Sequence, residues 1–345
     1  QDKPFTLVGR LQYAYEGGRW TEWIAQLDGD RTGSLSEDNG AYVFTLPFEL
    51  KQAAPPAGAL VVGATTALNG QNYTVTSNQQ VTLVSAQGEL PKLPDLGKPF
   101  AMVELRNDQG LVLSLDYGSV PPTASLGRSV LLDDLKLTGL RDESGKEEKG
   151  RSFTCPNCGA PITVNFADSK TITCGACNSI IDLTQGIGGE LKHAEQDEPV
   201  RPLIALGTLG QLQGAAWQVV GFQHRMGEEP GDDERFGWDE YLLYNKKRGF
   251  SFLVDATDGW SMVQPTTGAP TMAESGSAAT YMGKRFQQQS AYNAETTYVA
   301  GEFYWKVERG QKTFNRDFTA GATLLSMERS ANELTWSSGG KLDSA

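Results

Sequence analysis

The sequence predicts an all-β protein: repeated small modules of β-barrel or β-sandwich-like type, with a cysteine-bearing ribbon inserted among them. Three observations predict it. Apolar residues come in short runs rich in Val, Ile, Phe, Tyr and Trp, broken by 39 glycines and 16 prolines, a composition that favours strands and tight turns. No long stretch shows the three-and-four spacing of an amphipathic helix. Glycines and aromatic residues recur at matched spacings in separate parts of the chain. A length of 345 residues suits about two to three domains.

The first module is expected over 1–50. Phe5 to Tyr13 reads as a strand, a Glu-Gly-Gly turn follows, and Trp20 to Leu27 returns as the second arm of a hairpin. Tyr42-Val43-Phe44 is a further strand before Pro47. The module looks incomplete at its start, its missing part expected before Gln1, where the chain opens without a methionine, or from another element. Pro55-Pro56 among alanines reads as a linker. A second module is expected over 58–141, with strands around Tyr73 to Val75, Phe100 to Leu105 and Leu111 to Leu113. Asp133 to Leu137 fits a strand or one short helical turn. Residues 142–150 read as a charged hinge into the ribbon at 151–190. An acidic, proline-containing linker at 195–202 leads to an extended last module over 203–342, with strands at Ala216–Phe222, Trp238–Tyr244, Gly249–Val254, Gly259–Val263, Thr297–Ala300, Glu302–Val307 and Glu333–Trp336. The acidic loop at 228–234 reads as a solvated turn, since Pro230 and its spacing do not fit a calcium loop.

An internal repeat links the modules. Gly63 and Gly70 precede Tyr73-Thr74-Val75, and Gly207 and Gly214 precede Trp217-Gln218-Val219 in the same register. Phe5 to Gly9 is matched with Trp217 to Gly221, and Trp20-Thr21-Glu22-Trp23 with Trp238-Asp239-Glu240-Tyr241. The expectation is three related modules, the first a partial copy.

The four cysteines of the chain are Cys155, Cys158, Cys174 and Cys177. Two Cys-x-x-Cys pairs at this separation form the four-thiolate zinc pattern. The residue after each pair often needs positive φ, which Gly159 supplies and Asn178 tolerates. Four protein ligands leave no open position, so a structural Zn2+ is expected, holding the ribbon without doing chemistry. Redox thiols or two disulfides are the alternatives. Cysteines committed to one metal fit a reducing compartment, and the cytoplasm is expected.

Several stretches resemble a known family. Trp217 to Phe222, Trp238 to Tyr244, Gly249 to Asp255 and Gly301 to Trp305 are similar to the bacterial family called domain of unknown function 4178. The resemblance covers 203–342 well, 1–50 in part and 60–141 faintly, and long members of the family carry a central Cys-Pro-x-Cys zinc ribbon. It implies a genomic setting near polyamine-synthesis-like enzymes and small membrane proteins. It transfers no catalytic residue to this chain.

A net charge of −12 argues against binding nucleic acid or an anionic membrane surface. Within 151–200, Arg151, Lys170 and Lys192 face six acidic residues, which speaks against phosphate contact by the ribbon. No run approaches the roughly twenty apolar residues of a membrane-spanning helix. No phosphate-binding loop or nucleophile elbow is present. His193 and His224, the two histidines, read as ordinary surface or turn residues. The expected function is therefore that of a non-enzymatic, zinc-stabilised binding or scaffold protein. Its expected partners are a protein, such as a small membrane protein of the same system, and a cationic ligand. The alternative is a carboxylate-dependent enzyme linked to polyamine-type metabolism, using Glu240, Asp255 and Glu302 as acid and base. Strand alternation places Trp20 with Glu22, Trp238 with Glu240, and Glu302 with Tyr304 on shared faces. The aromatic residue after each glutamate is expected in the core, and these six residues are the candidates for a partner-binding aromatic–carboxylate surface.

Overall fold

The structure is a computed structural model. It describes residues 4–342 except 17, 30, 39, 40, 91–94, 131, 139–150, 167, 168, 185, 188–190, 197, 198, 233, 247 and 332. The hinge expected at 142–150 lies outside the described residues. No α-helix occurs among those described; the helical turns are 3-10 turns at Ala57–Ala59 and Leu132–Leu135.

Strands β1 (Phe5–Tyr15), β2 (Gly18–Leu27), β3 (Thr32–Asp38), β4 (Ala41–Pro47), β5 (Thr65–Leu68), β6 (Gln71–Gly88), β7 (Pro99–Arg106), β8 (Leu111–Asp116) and β9 (Thr123–Val130) form one sheet. Its order is β1-β2-β3-β4-β9-β8-β7-β6, and β6 pairs back onto β1, which closes an eight-stranded antiparallel barrel with β5 on the outer edge of β6. The segments 1–50 and 58–141, expected as separate modules, thus supply strands to a single barrel. The pairings that join them, β4 with β9 and β1 with β6, are long-range and leave no local trace in the sequence.

The ribbon follows as β10 (Arg151–Thr154), β11 (Pro161–Val164), β12 (Thr171–Thr173), β13 (Ile180–Asp182) and β14 (His193–Ala194). Then come β15 (Leu209–Leu212), β16 (Ala215–Glu228), β17 (Arg235–Asn245), β18 (Gly249–Ala256), β19 (Gly259–Pro265), β20 (Thr271–Met272), β21 (Ala278–Tyr281), β22 (Lys284–Phe303), β23 (Lys312–Ala320), β24 (Thr323–Arg329) and β25 (Leu334–Lys341). The order β22-β23-β24-β25-β19-β18-β17-β16 closes through β16 and β22 into a second eight-stranded antiparallel barrel, again with a short edge strand, β15, on β16.

The two barrels trace the same circuit from different starting points. Aligning the strand orders places β1–β4 on β22–β25 and β5–β9 on β15–β19. The four-strand half comes first in one barrel and last in the other. This corrects the expected match of Phe5–Gly9 with Trp217–Gly221 and of Trp20–Trp23 with Trp238–Tyr241: β1 occupies the place of β22, and β2 that of β23. The glycine match holds in detail. Gly63 N–H donates to Val75 O at 2.8 Å and Val75 N–H to Ala64 O at 2.9 Å; Gly207 N–H donates to Val219 O at 2.7 Å and Val219 N–H to Thr208 O at 3.0 Å. Asn69-Gly70 and Gln213-Gly214 make the two hairpin turns with positive φ at both residues (51° and 79°, 49° and 73°), the conformation of the two-residue hairpin turn.

The chain forms two compact units: 1–131, 265–291 and 314–338, and 132–264, 292–313 and 339–345. In the first, β2 and β8 stand four places apart around the barrel in either direction. Leu105, Leu113 and Leu115 pack on Phe318, Leu325, Met327 and Trp336 of the other sheet, so their face is the outward one and Phe100 and Asp116, on the alternate face, point inward. Leu11, Tyr13, Ile24, Val81, Leu83 and Phe100 form the core on that inner face. A larger core lies on the outward faces, where Tyr73, Val75, Val103 and Leu105 meet Phe318, Leu325, Met327 and Trp336. In the second unit, Trp217, Val219, Phe222, Tyr241, Leu243 and Tyr298 form one cluster, and Ile180, Leu242, Val299, Phe303 and Val307 another.

Candidate metal centre

Each Cys-x-x-Cys segment folds as a turn between its own flanking strands. β10 pairs β11 across Cys155–Cys158, and β12 pairs β13 across Cys174–Cys177. Ile162–Val164 and Thr171–Thr173 do not pair with each other, because the short turn at each knuckle brings its own flanking strands together. The hydrogen bonds repeat. Gly159 N–H donates to Cys155 O at 2.9 Å and Cys155 N–H to Ala160 O at 2.8 Å; Asn178 N–H donates to Cys174 O at 2.8 Å and Cys174 N–H to Ser179 O at 3.0 Å. Gly159 has φ 77° and Asn178 φ 59°, so both residues take the left-handed conformation that the turn requires.

The four Sγ atoms converge, all within 4.8 Å of one another. Cys155 Sγ lies 3.7 Å from Cys177 Sγ, and Cys158 Sγ lies 3.7 Å from Cys174 Sγ. Sulfurs at the corners of a tetrahedron with a metal–sulfur distance of ~2.3 Å stand about 3.8 Å apart, so these residues fit one metal ion. Ala176 N–H points at Cys174 Sγ at 3.4 Å, the Ser179 hydroxyl lies 3.2 Å from Cys177 Sγ, and Asn157 Nδ2 reaches both Ser179 Oγ (2.9 Å) and Cys177 Sγ (3.8 Å). The Ser179 contacts pull the Cys177 thiol down to about 6. Such polar neighbours favour thiolate and orient it. Cys155 and Cys174 are buried with Ile162, Val164, Ile172, Ile181 and Leu183, a core too small to order the ribbon by itself.

The ribbon is tied to the C-terminal half of β22. Thr171 and Ile172 pair with Phe303 and Glu302. The Glu302 carboxylate, 4% exposed, accepts from the backbone N–H of Asn165 (3.0 Å) and Phe166 (2.8 Å), from Asn165 Nδ2 (3.0 Å) and from the Ser169 hydroxyl. The Gln196 amide bridges the second knuckle to β22: Nε2 donates to Asn178 O (2.7 Å) and Val299 O (2.8 Å), and Oε1 accepts from Val299 N–H (2.9 Å). The Phe166 ring meets Tyr244 and Phe250 at centroid distances of 4.7 and 5.9 Å.

A family model described as Domain of unknown function (DUF4178) matches residues 1–132 and 205–344. The chain is a member of the DUF4178 family. No curated protein and no solved structure matches it. The two matched segments hold the strands of the two barrels, so in this DUF4178 protein the cysteine ribbon falls in the interval between two family segments.

The other candidate residues of the DUF4178 chain fall mostly inside it. Trp238 is 8% exposed, and its Nε1 donates to Glu240 Oε1 at 2.6 Å. Glu240 also accepts from Gln223 Nε2 and lies 3.5 Å from Arg225 Nη1. The Arg225 guanidinium stands over the Trp238 ring at 5.5 Å and donates to Thr313 Oγ1 at 2.7 Å. Tyr304 is half-buried against Phe250 and Trp305, at 4.3 and 4.6 Å. Trp20 is half-buried on Tyr13, 5.0 Å away. Half-buried Glu22 sits where burial pushes its carboxyl up and a hydrogen bond with Ser34 pulls it back.

Trp238 and Glu302 are therefore buried, and half-buried Glu240 is engaged by Trp238, Gln223 and Arg225. The aromatic residue after the glutamate is fully buried at Tyr241 and Phe303 and half-buried at Trp23. Alternation left the glutamate's face open to solvent, but β17 buries both faces: Trp238 and Leu242 on one, Tyr241 and Leu243 on the other. The three carboxylates considered for acid–base work do not converge. Glu240 pairs with Val254 while Asp255 pairs with Asp239, so Glu240 and Asp255 point to opposite faces of the ladder, and Glu302 holds the ribbon. Asp239 also bonds His224 Nδ1 at 2.7 Å. Burial, then Asp239, raises the Asp255 carboxyl. Gln196, Asn165 and Ser169 carried no sequence signal, being polar residues in loops whose partners on β22 lie more than a hundred positions away.

Proposed function

We propose that this DUF4178 protein is a non-enzymatic binding or scaffold protein of a bacterial cytoplasmic or membrane-associated system, with one structural zinc held by Cys155, Cys158, Cys174 and Cys177. The observation that carries this reading is the convergence of four sulfurs at tetrahedral spacing, with no other donor in the group among the described residues. A sulfur-only tetrahedron suits zinc, and four protein ligands leave no place for substrate. When bound, the metal supplies a cross-link between the two knuckles. The residues around it position the ribbon: Glu302 and Gln196 fix it on β22, so that metal, ribbon and barrel strand hold one geometry. Unpaired thiols dedicated to a metal fit the reducing cytoplasm. No helix among the described residues is long and apolar enough to cross a membrane. The partner we propose is a protein, a small membrane protein of the same system, with a cationic ligand as a further ligand class that the −12 net charge attracts.

Cobalt replacement tests the metal: a four-thiolate site gives intense thiolate-to-cobalt absorption and tetrahedral visible bands, whereas octahedral bands without thiolate absorption overturn the assignment. Chelation should raise hydrogen exchange in 151–184 and in the second half of β22. Titration calorimetry with spermidine and with basic tail peptides tests binding, and absence of heat with all of them removes the cationic ligand.

A further inference from the structure

The inner wall of the first barrel is uneven. Its apolar side chains, Leu11, Tyr13, Ile24, Val81, Leu83 and Phe100, come from β1, β2, β6 and β7. The facing strands offer smaller groups. Ser34 pairs with Ile24 and Ser36 with Glu22, and directly paired residues share a face. Ser114 pairs with Ser125 and alternates with outward Leu113 and Leu115. These four serines point inward yet are half-buried rather than buried. A barrel of eight strands holds either its own large side chains or one small ligand, and small side chains on one wall leave room for the ligand.

Glu22 and Asp116 point into this lumen from β2 and β8, towards the end where β1 turns to β2, β3 to β4 and β8 to β9. Asp116 Oδ1 accepts from Gly118 N–H at 2.6 Å, and Glu22 bonds Ser34. Neither carboxylate has an ion-pair partner among the described residues. Arg106, further along the inner face of β7, is taken by Glu104 at 2.7 Å. Tyr13 is 3% exposed, and its hydroxyl has no hydrogen-bond partner among the described residues. Buried phenols ordinarily find a partner. Glu22 and Asp116 both act on this phenol electrostatically, so the three groups share one end of the lumen. Aromatic rings complete it: Trp20 stacks on Tyr13 at 5.0 Å, and Phe100 meets Tyr13 edge-on at 6.2 Å. Met102, paired with Asp116, lies beside them.

We propose that this end of the first barrel binds a small primary amine as its ammonium ion. The three N–H donors go to Glu22, Asp116 and the Tyr13 oxygen, and the apolar stem lies against Trp20, Phe100 and Met102. Two carboxylates without a cation call for positive charge, and aromatic faces attract organic cations. A hard metal ion takes six or more oxygen ligands or keeps its waters, which an aromatic wall does not supply. Burial raises both carboxyls, and an ammonium between them favours their charged forms. The inference rests on the cationic-ligand part of the proposed function, to which it gives a site, and is independent of the metal.

Titration calorimetry of the full chain with n-butylamine, in slightly alkaline buffer, tests it. The wild type should bind, and Glu22→Gln and Asp116→Asn should each bind about tenfold or more weakly. Tyr13→Phe, which removes the hydroxyl alone, should lose about fivefold. Asp95→Asn removes an exposed carboxylate elsewhere and should bind as the wild type does. Butyltrimethylammonium keeps the charge and has no N–H to donate, so it should bind about tenfold more weakly than n-butylamine. Circular dichroism checks the fold of each variant, and Tyr13→Phe decides the matter if a carboxylate variant unfolds. A wild type that gives no heat with n-butylamine overturns the site, as do inner variants that bind as the wild type does, or an Asp95→Asn that loses as much as they do. Equal binding of the trimethyl analogue overturns the three-donor geometry. Binding of spermidine or a basic peptide that survives Glu22→Gln and Asp116→Asn strikes this site and leaves the cationic-ligand reading standing.

Discussion

The Glu302 carboxylate, on β22, accepts the backbone N–H of Phe166, in the loop between the two cysteine knuckles, at 2.8 Å. One buried side chain thus supplies the acceptor for a loop 136 positions earlier in the chain. Glu302→Ala leaves the N–H groups of Asn165 and Phe166 and the Ser169 hydroxyl without that acceptor. The expected loss is about 3 kcal/mol or more. Hydrogen exchange at Asn165 and Phe166 reads it: protection should fall there first, while amides in β6 and β7 keep theirs. Unchanged protection at both would show that the carboxylate does not hold the loop.

Glu240→Ala removes the anion beside buried Arg225 and the acceptor for Trp238 Nε1. A buried cation stripped of its partner costs about 3 kcal/mol. Urea unfolding should show that loss, with Glu240→Gln losing less because its amide oxygen still accepts from Trp238. A change below about 0.5 kcal/mol in Glu240→Ala, the scale of an ordinary surface substitution, would remove the network from the account.

Gly214→Ala isolates backbone conformation from packing. Gly214 has φ 73°, and an added Cβ meets nothing within 4 Å, so the cost is that of left-handed φ alone, about 1 kcal/mol. Gly70→Ala, at the matched turn, should cost the same, since Gly70 also has open space around its Cβ. Equal losses in chemical denaturation support the matched turns; a loss at only one of them breaks the match.

Glu22 carries a pH signature. Burial, with Asp116 nearby, raises its carboxyl in the folded chain, and the Ser34 hydrogen bond offsets part of that. The folded state therefore holds the proton more tightly than the unfolded state. This contribution to stability grows as pH falls through the folded value and levels off below the ordinary glutamate value of about 4.3. Above the folded value the buried charge is a net cost. Glu22→Gln should be more stable than wild type at neutral pH, with the gap closing as pH drops towards about 4. A gap that does not change with pH would place Glu22 in water.

The strands that were legible in the sequence are those with β-branched and aromatic alternation. Phe5 to Tyr13 and Trp20 to Leu27 read almost to their ends, and the left-handed residues Gly159 and Asn178 follow from the knuckle pattern. β9 (Thr-Ala-Ser-Leu-Gly-Arg-Ser-Val) and β23 (Lys-Thr-Phe-Asn-Arg-Asp-Phe-Thr-Ala) did not read as strands, because small and charged residues hide the alternation. Barrel closure was illegible for a different reason: the β1–β6 and β16–β22 pairings join segments some seventy positions apart, and register at that range is set by packing. The same holds for Glu302, whose role depends on Phe166, 136 positions away. The cysteine site was legible because its ligands and turns are local.

Native mass spectrometry of freshly purified, reduced protein tests the central claim most directly. The account predicts a single species carrying one zinc per chain, with Cys155, Cys158, Cys174 and Cys177 protected from alkylation until the metal is chelated. A folded chain that carries no metal, and whose four thiols alkylate at the rate of free cysteine, would contradict it.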